Sequence, residues 1–121
     1  MIRKVKFMSI PVRDQDRALQ FYLNALGFTL VTDQPMGPGM RWIELRPPKG
    51  DAGIALFTAP GHEDRIGSFT GISMECDDVQ KTYDDLRAKG VEFVKPPKRE
   101  SWGVSAIMKD SEGNQIVLSS S

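Results

Sequence analysis

A small set of side chains combines a reactive or ligand-holding type with a suggestive position in the sequence. They are one histidine, His62, one cysteine, Cys76, and four residues on alternating or strand-bounding segments, Trp42, Glu44, Glu75 and Trp102. An imidazole titrates near neutrality and serves as a general base or a metal ligand. A thiol becomes a nucleophile when a neighbouring base or positive charge activates it. Two carboxylates facing one cleft can hold a cation, or one of them can act as a base once burial raises its pKa. Large flat indoles can sandwich an aromatic or amphipathic ligand.

Most of these groups also have a plainer reading. His62 sits in Ala59-Pro60-Gly61-His62-Glu63-Asp64, a polar connection that reads as a solvated loop. Cys76 falls on the core-facing side of an alternating segment with no histidine beside it, which suits a small buried hydrophobe. Glu44 and Glu75 read more readily as a solvated or salt-bridged pair near Arg41, and packing alone explains the two tryptophans about as well as a ligand does. A single cysteine excludes an internal disulfide and a cysteine-built zinc site.

Two similar halves must position these residues. In the first, Lys6 to Val12 alternates, with Met8, Ile10 and Val12 on one face and Pro11 marking an edge or an end. Asp14 is placed to cap a helix that Gly27 stops, and Ala18, Phe21, Tyr22, Ala25 and Leu26 fall on one face of it. Phe28 to Val31, Arg41 to Leu45 and Gly53 to Phe57 read as strands, separated by the turn-rich Pro35-Met36-Gly37-Pro38-Gly39 and Pro47-Pro48-Lys49-Gly50. The order is βαβββ.

The same order returns after the connection. Gly71 to Cys76 alternates, Asp77 or Asp78 caps a helix ending at Gly90, and Val91 to Val94, Gly103 to Met108 and Gln115 to Leu118 supply three strands. Local correspondences reinforce the repeat: Val12-Arg13-Asp14 with Cys76-Asp77-Asp78, Leu26-Gly27-Phe28 with Lys89-Gly90-Val91, and Gly53-Ile54-Ala55-Leu56 with Gln115-Ile116-Val117-Leu118. The chain is therefore expected to be one α+β domain over 1–121, with modules of approximately 1–60 and 67–121. Each helix covers the outside of a curved mixed sheet, and the uncovered faces enclose a cleft. Ser9, Trp42, Glu44, Phe57, Ser73, Glu75 and Trp102 are the candidate ligand-binding residues.

Composition narrows the partners. Sixteen basic residues balance sixteen acidic ones, and no basic stripe interleaved with aromatics marks a nucleic-acid binder. No apolar run approaches the length of about 18 residues that a membrane span needs, and Met1 to Lys6 leads into a strand rather than a signal core. These features point to a cytoplasmic protein with a small-molecule ligand, no nucleic acid and no membrane partner.

Taken together, Val12-Arg13-Asp14, Ala18 to Phe28, Asp78 to Gly90 and Asp110 to Leu118 give the chain a resemblance to the vicinal oxygen chelate superfamily, which includes glyoxalase I, extradiol dioxygenases and bleomycin-resistance proteins. The resemblance implies paired βαβββ modules forming a cleft, usually in a homodimer. It also implies a divalent metal held by four side chains, usually His, Gln or Glu, one on each of four central strands. Carried over by motif, those positions are Phe7, Ala55, Gly71 and Val117. None has a side chain that donates an electron pair, and a symmetric partner would bring the same four.

The expectation is a metal-independent small-molecule binding protein with no cofactor and an amphipathic or aromatic ligand. An alternative is a lyase, isomerase or dioxygenase-like enzyme acting on a small organic substrate, using Glu44 and Glu75 or an unorthodox metal site; metal-dependent glyoxalase I activity is not expected. A regulatory module is a third and weaker reading.

Overall fold

Both helices begin where an aspartate precedes an amphipathic run. In the computed structural model, which describes residues 1–50 and 52–120, the Asp14 carboxylate accepts from the Arg17 backbone N–H at 3.0 Å ahead of α1 (Gln15–Gln20). Asp78 accepts from the Lys81 N–H at 3.1 Å ahead of α2 (Val79–Ala88). Each carboxylate satisfies an amide that has no partner within the helix and lies near the positive end of the helix dipole. An Asp78→Ala variant is expected to lose about 1 kcal/mol of unfolding free energy, measured from its urea midpoint; an unchanged midpoint would mean that water replaces the cap without cost.

The chain divides into two compact units, Met1–Ile66 and Gly67–Ser121. The first contains β1 (Phe7–Ile10), α1, β2 (Thr29–Gly37), β3 (Met40–Arg46) and β4 (Gly53–Leu56), with strand order β1-β4-β3-β2. The second contains β5 (Phe69–Glu75), α2, β6 (Phe93–Glu100), β7 (Gly103–Lys109) and β8 (Gln115–Ser120), with order β5-β8-β7-β6. The first strand of each unit pairs in parallel with the last, and the remaining pairs are antiparallel. The fold is α+β with βαβββ repeated, as the sequence predicts.

One face of each sheet forms the core. In the first unit α1 packs on β3 and β4, and Ala18, Leu19 and Tyr22 are buried together with Ile10, Ile43, Leu45, Ile54 and Leu56. In the second, Val79 and Leu86 of α2 are buried with Ala106, Met108, Ile116 and Leu118 of the sheet below. Met8 departs from its expected core place and is 37% exposed. It lies on an edge strand, whereas α1 is seated on the two strands β3 and β4. Cys76, also expected in the core, and Met74 on the same face of the alternating segment are half-buried beside the equivalent edge.

Two further differences follow from backbone geometry. The first helix is α-helical only to Gln20 and finishes as a π turn, Phe21–Ala25, in which the Leu26 N–H donates to the Phe21 carbonyl. The extra residue turns the apolar stripe. Tyr22 is fully buried, with its ring 5.5 Å from Phe21 and 5.6 Å from Phe28, while Phe21, Ala25 and Leu26 are half-covered. Strands β2 and β6 are longer than expected and run through Pro35 and through Pro96-Pro97. Both are sheet edges, where one side of the strand needs no ladder and proline's missing N–H costs little.

Candidate functional site

On β3, residues alternate between the core and the face away from the helix. Ile43 and Leu45 are buried, and Trp42, Glu44 and Arg46 fall on the other side. Gln15 at the start of α1 fixes this strand. Its amide donates to the carbonyls of Arg41 (2.7 Å) and Leu56 (2.9 Å), and its side-chain oxygen accepts from the Arg41 N–H (3.1 Å). Nothing in the sequence pattern distinguishes Gln15 from an ordinary first-turn polar residue, because its partners lie 26 and 41 residues away.

Trp42 contacts two other rings, Phe7 edge to face and Phe57 at a tilt. Phe7 lies 5.1 Å away at 72°, and Phe57 lies 5.5 Å away at 53°. Together they form an aromatic surface beside a hollow of about 380 Å³, whose lining includes Ser9, Trp42, Phe57, His62 and Arg65. Thr58 also borders it, but its hydroxyl is engaged with the Val12 N–H and carbonyl, both at 2.8 Å. The hollow lies within the size range of small-ligand pockets, roughly 300–1,000 Å³. Three expected residues, Ser9, Trp42 and Phe57, therefore share one hollow.

His62 joins them, although the sequence reads it as a solvated loop residue. It is exposed and also lines the hollow. The signal is that residues 58–66 follow Phe57 directly, so this connection cannot stray far from the end of β4. Its shape is held by the His62 N–H to the Ala59 carbonyl (3.0 Å) and the Arg65 N–H to the His62 carbonyl (3.1 Å).

Glu44 belongs to a different environment. It lines a second hollow with Arg3, Lys4, Lys6 and Arg46. Arg41, the ion-pair partner considered for it, is bound instead to Asp16 and to Asp33, whose carboxylate takes both Nε and Nη2 at 3.0 Å. Those two carboxylates hold the Arg41 guanidinium far above its ordinary range.

In the second unit, Ser73 and Glu75 lie on β5, with Ser73 opposite Val117 and Glu75 opposite Ser119. The Ser73 and Ser119 hydroxyls are 3.0 Å apart. Trp102 is in the turn between β6 and β7 and is 58% exposed. Cys76 follows β5; burial pushes its thiol pKa up, Asp77 and Glu75 add to that, and a hydrogen bond with Thr82 opposes it. A thiol held in its protonated form is a poor nucleophile.

The four positions that the resemblance assigns to a metal do not fit one. Phe7 is committed to the aromatic contact with Trp42, Ala55 is fully buried, and Val117 is aliphatic. Gly71 lies in an irregular part of β5 at φ +74°, a conformation that strains any residue with a Cβ. The ladder resumes so that Phe69 faces Gln115, as Phe7 faces Gly53 in the first unit. Phe69, rather than Gly71, thus occupies the register equivalent of Phe7, and it too has no donor atom. Among the described residues, no group of three or more His, Cys, Asp or Glu side chains could hold a metal ion. No helix is long and apolar enough to cross a membrane.

Comparison with known proteins gives a consistent match. The model of the Glyoxalase/Bleomycin resistance protein/Dioxygenase superfamily matches residues 4–118. A superfamily member of known structure from Sphaerobacter thermophilus is 36% identical, with a TM-score of 0.90 over 99% of this chain and 98% of that one. TnmS3, an antibiotic binding protein from Streptomyces sp. CB03234, is 35% identical, with a TM-score of 0.87 over 98% of this chain and 96% of that one. A probable lactoylglutathione lyase from Synechocystis is 31% identical over 116 residues, covering 90% of this chain and 88% of that protein.

Proposed function

The chain belongs to the Glyoxalase/Bleomycin resistance protein/Dioxygenase superfamily, and within it we propose a metal-independent protein that binds a small aromatic or amphipathic molecule. The observation that carries this reading is the Phe7–Trp42–Phe57 surface beside the hollow of about 380 Å³. Rings packed against one another present an apolar aromatic surface at little entropic cost, because each has only two side-chain torsions. Trp42 and Phe57 supply that surface to the ligand and Ser9 a hydroxyl. His62 and Arg65 give the rim hydrogen-bond donors. Ser73, Glu75 and Trp102, which the sequence also offers for a ligand, lie in the second unit and do not line this hollow, and Glu44 lines the other hollow of the first unit. The likeness to an antibiotic binding protein supports capture of the ligand, without turnover, as the function.

A second reading, an enzyme acting on a small organic substrate, is favoured by His62, which puts an imidazole at the aromatic hollow. The likeness to a probable lactoylglutathione lyase points the same way. The working form is proposed to be a homodimer in the cytoplasm.

Native mass spectrometry before and after excess zinc or nickel, followed by a thermal-shift screen of flat hydrophobic compounds, tests the proposal. The expected result is a dimer mass without stoichiometric metal and at least one compound that raises the melting temperature. One tightly held metal per chain, or a screen without a single binder, would overturn it. A bound compound released chemically altered, and no longer altered by a His62→Ala variant, would establish the second reading.

A further inference from the structure

The second hollow of the first unit has a chemistry that the aromatic site does not use. Arg3, Lys4, Lys6 and Arg46 line a space of about 400 Å³ together with Met1 and Glu44. Four cations against one carboxylate is a local excess in a chain whose sixteen basic residues are matched by sixteen acidic ones. Among the described residues, none of the four is within ion-pair distance of a carboxylate. Some cations elsewhere are paired: Arg41 with Asp16 and Asp33, Lys98 with Glu100 at 4.0 Å and Lys109 with Glu92 at 4.0 Å.

The backbone holds part of this cluster in place. Arg46 closes β3, opposite Thr29. The Lys6 carbonyl accepts from the Gly53 N–H at 3.3 Å, which ties the segment before β1 to the start of β4. The Glu44 carboxylate reaches over the same strand end, 3.4 Å from where a Cβ on Gly53 would sit. Like charges gathered in this way repel one another, and an anion bound among them relieves that repulsion. The Arg46 guanidinium offers a planar fork suited to two oxygens of one phosphate or carboxylate, and the lysines add charge without fixed geometry.

We propose that this hollow binds a small polyanion, a molecule bearing two or more phosphate or carboxylate groups, with Arg46 and Lys6 as principal contacts and Arg3 and Lys4 completing the charge. Glu44 weakens the site and limits it to ligands of high charge density. The site is separate from the aromatic hollow and does not rest on the function proposed for it.

Pyrophosphate and citrate, titrated separately into the full chain by calorimetry at ionic strength held constant with sodium chloride, test the proposal. Saturable binding of at least one of them is expected, and the tighter of the two assigns the phosphate or the carboxylate class. A Lys6→Gln/Arg46→Gln double variant is expected to bind at least tenfold more weakly. Glu44→Gln should bind several-fold more tightly, an effect of opposite sign that general surface damage would not produce. Lys81→Gln on α2 and Trp42→Ala should both leave the affinity unchanged. The proposal is overturned if neither anion binds beyond the effect of chloride, if the double variant binds like the wild type, or if Trp42→Ala abolishes binding and so places the anion in the other hollow.

Discussion

Replacing Asn114 by alanine is expected to remove about 3 kcal/mol of stability, since buried polar groups left without partners cost about 1–3 kcal/mol each. Asn114 is fully buried and Asp110 is 6% exposed. The Asn114 side-chain oxygen accepts from the Gly67 N–H at 2.8 Å, and its amide donates to Asp110 Oδ2 at 3.0 Å. Asp110 Oδ1 in turn accepts the N–H groups of Glu112 and Asn114, both at 2.9 Å. The substitution therefore strips a bond from a buried carboxylate and another from a backbone amide, and truncates a packed side chain as well.

The affected amide lies at the first residue of the second unit, two residues before β5, so the damage falls on the parallel pairing of β5 with β8. Against a total stability of roughly 5–15 kcal/mol for such a domain, the loss would halve the margin of a weakly stable protein. Urea unfolding followed by circular dichroism should show a lower midpoint with an unchanged slope. A loss below about 1 kcal/mol would mean that water enters and replaces the amide, a substitution that is good enough only where the site is roomy and polar.

The segment Asp110 to Asn114 was legible in sequence as a turn, but its buried network was not, because the partner that matters most is 47 residues away. The same division runs through the fold. Period-two and helical patterns place the strands and helices of both units, and Asp14 and Asp78 mark the helix starts, because these are local properties of the chain. The π turn after Gln20 was hidden because the spacing of Phe21, Tyr22, Ala25 and Leu26 fits an uninterrupted α-helix equally well. Pro35 reads as part of a turn, and only the knowledge that β2 and β6 are edges shows why it, and Pro96-Pro97 in β6, are tolerated within strands.

The candidate site divides in the same way. Trp42, Phe57 and Ser9 could be placed on one face by alternation within single strands. Glu44 could not be separated from them by that rule, because its surroundings depend on where Arg3, Lys4 and Lys6 run before the first strand. His62 was missed because a polar connection has no period to read, and its position over the end of β4 is set by the chain's path after Phe57. Motif spacing places Gly71 in the metal position of the second unit, and spacing along the chain cannot register the irregularity in β5 that puts Phe69 opposite Gln115.

A Trp42→Ala variant is expected to bind whichever compound emerges from the thermal-shift screen at least tenfold more weakly, and to remain folded. The central aromatic of a binding surface commonly contributes 2 kcal/mol or more, and each 1.4 kcal/mol is a factor of ten in affinity. Its removal takes away the ring that joins Phe7 to Phe57. Stability should suffer less, because the core side of β3 is formed by Ile43 and Leu45, which the substitution does not touch. Ser9→Ala should cost far less than Trp42→Ala, since an exposed hydroxyl can be replaced by water. The two tryptophans also give an optical readout. Ligand quenching should persist in Trp102→Phe, whose indole is in the exposed turn before β7, and vanish in a Trp42→Phe protein. Unchanged affinity in Trp42→Ala would remove the aromatic hollow as the binding site, and quenching that follows Trp102 instead would move the ligand to the second unit.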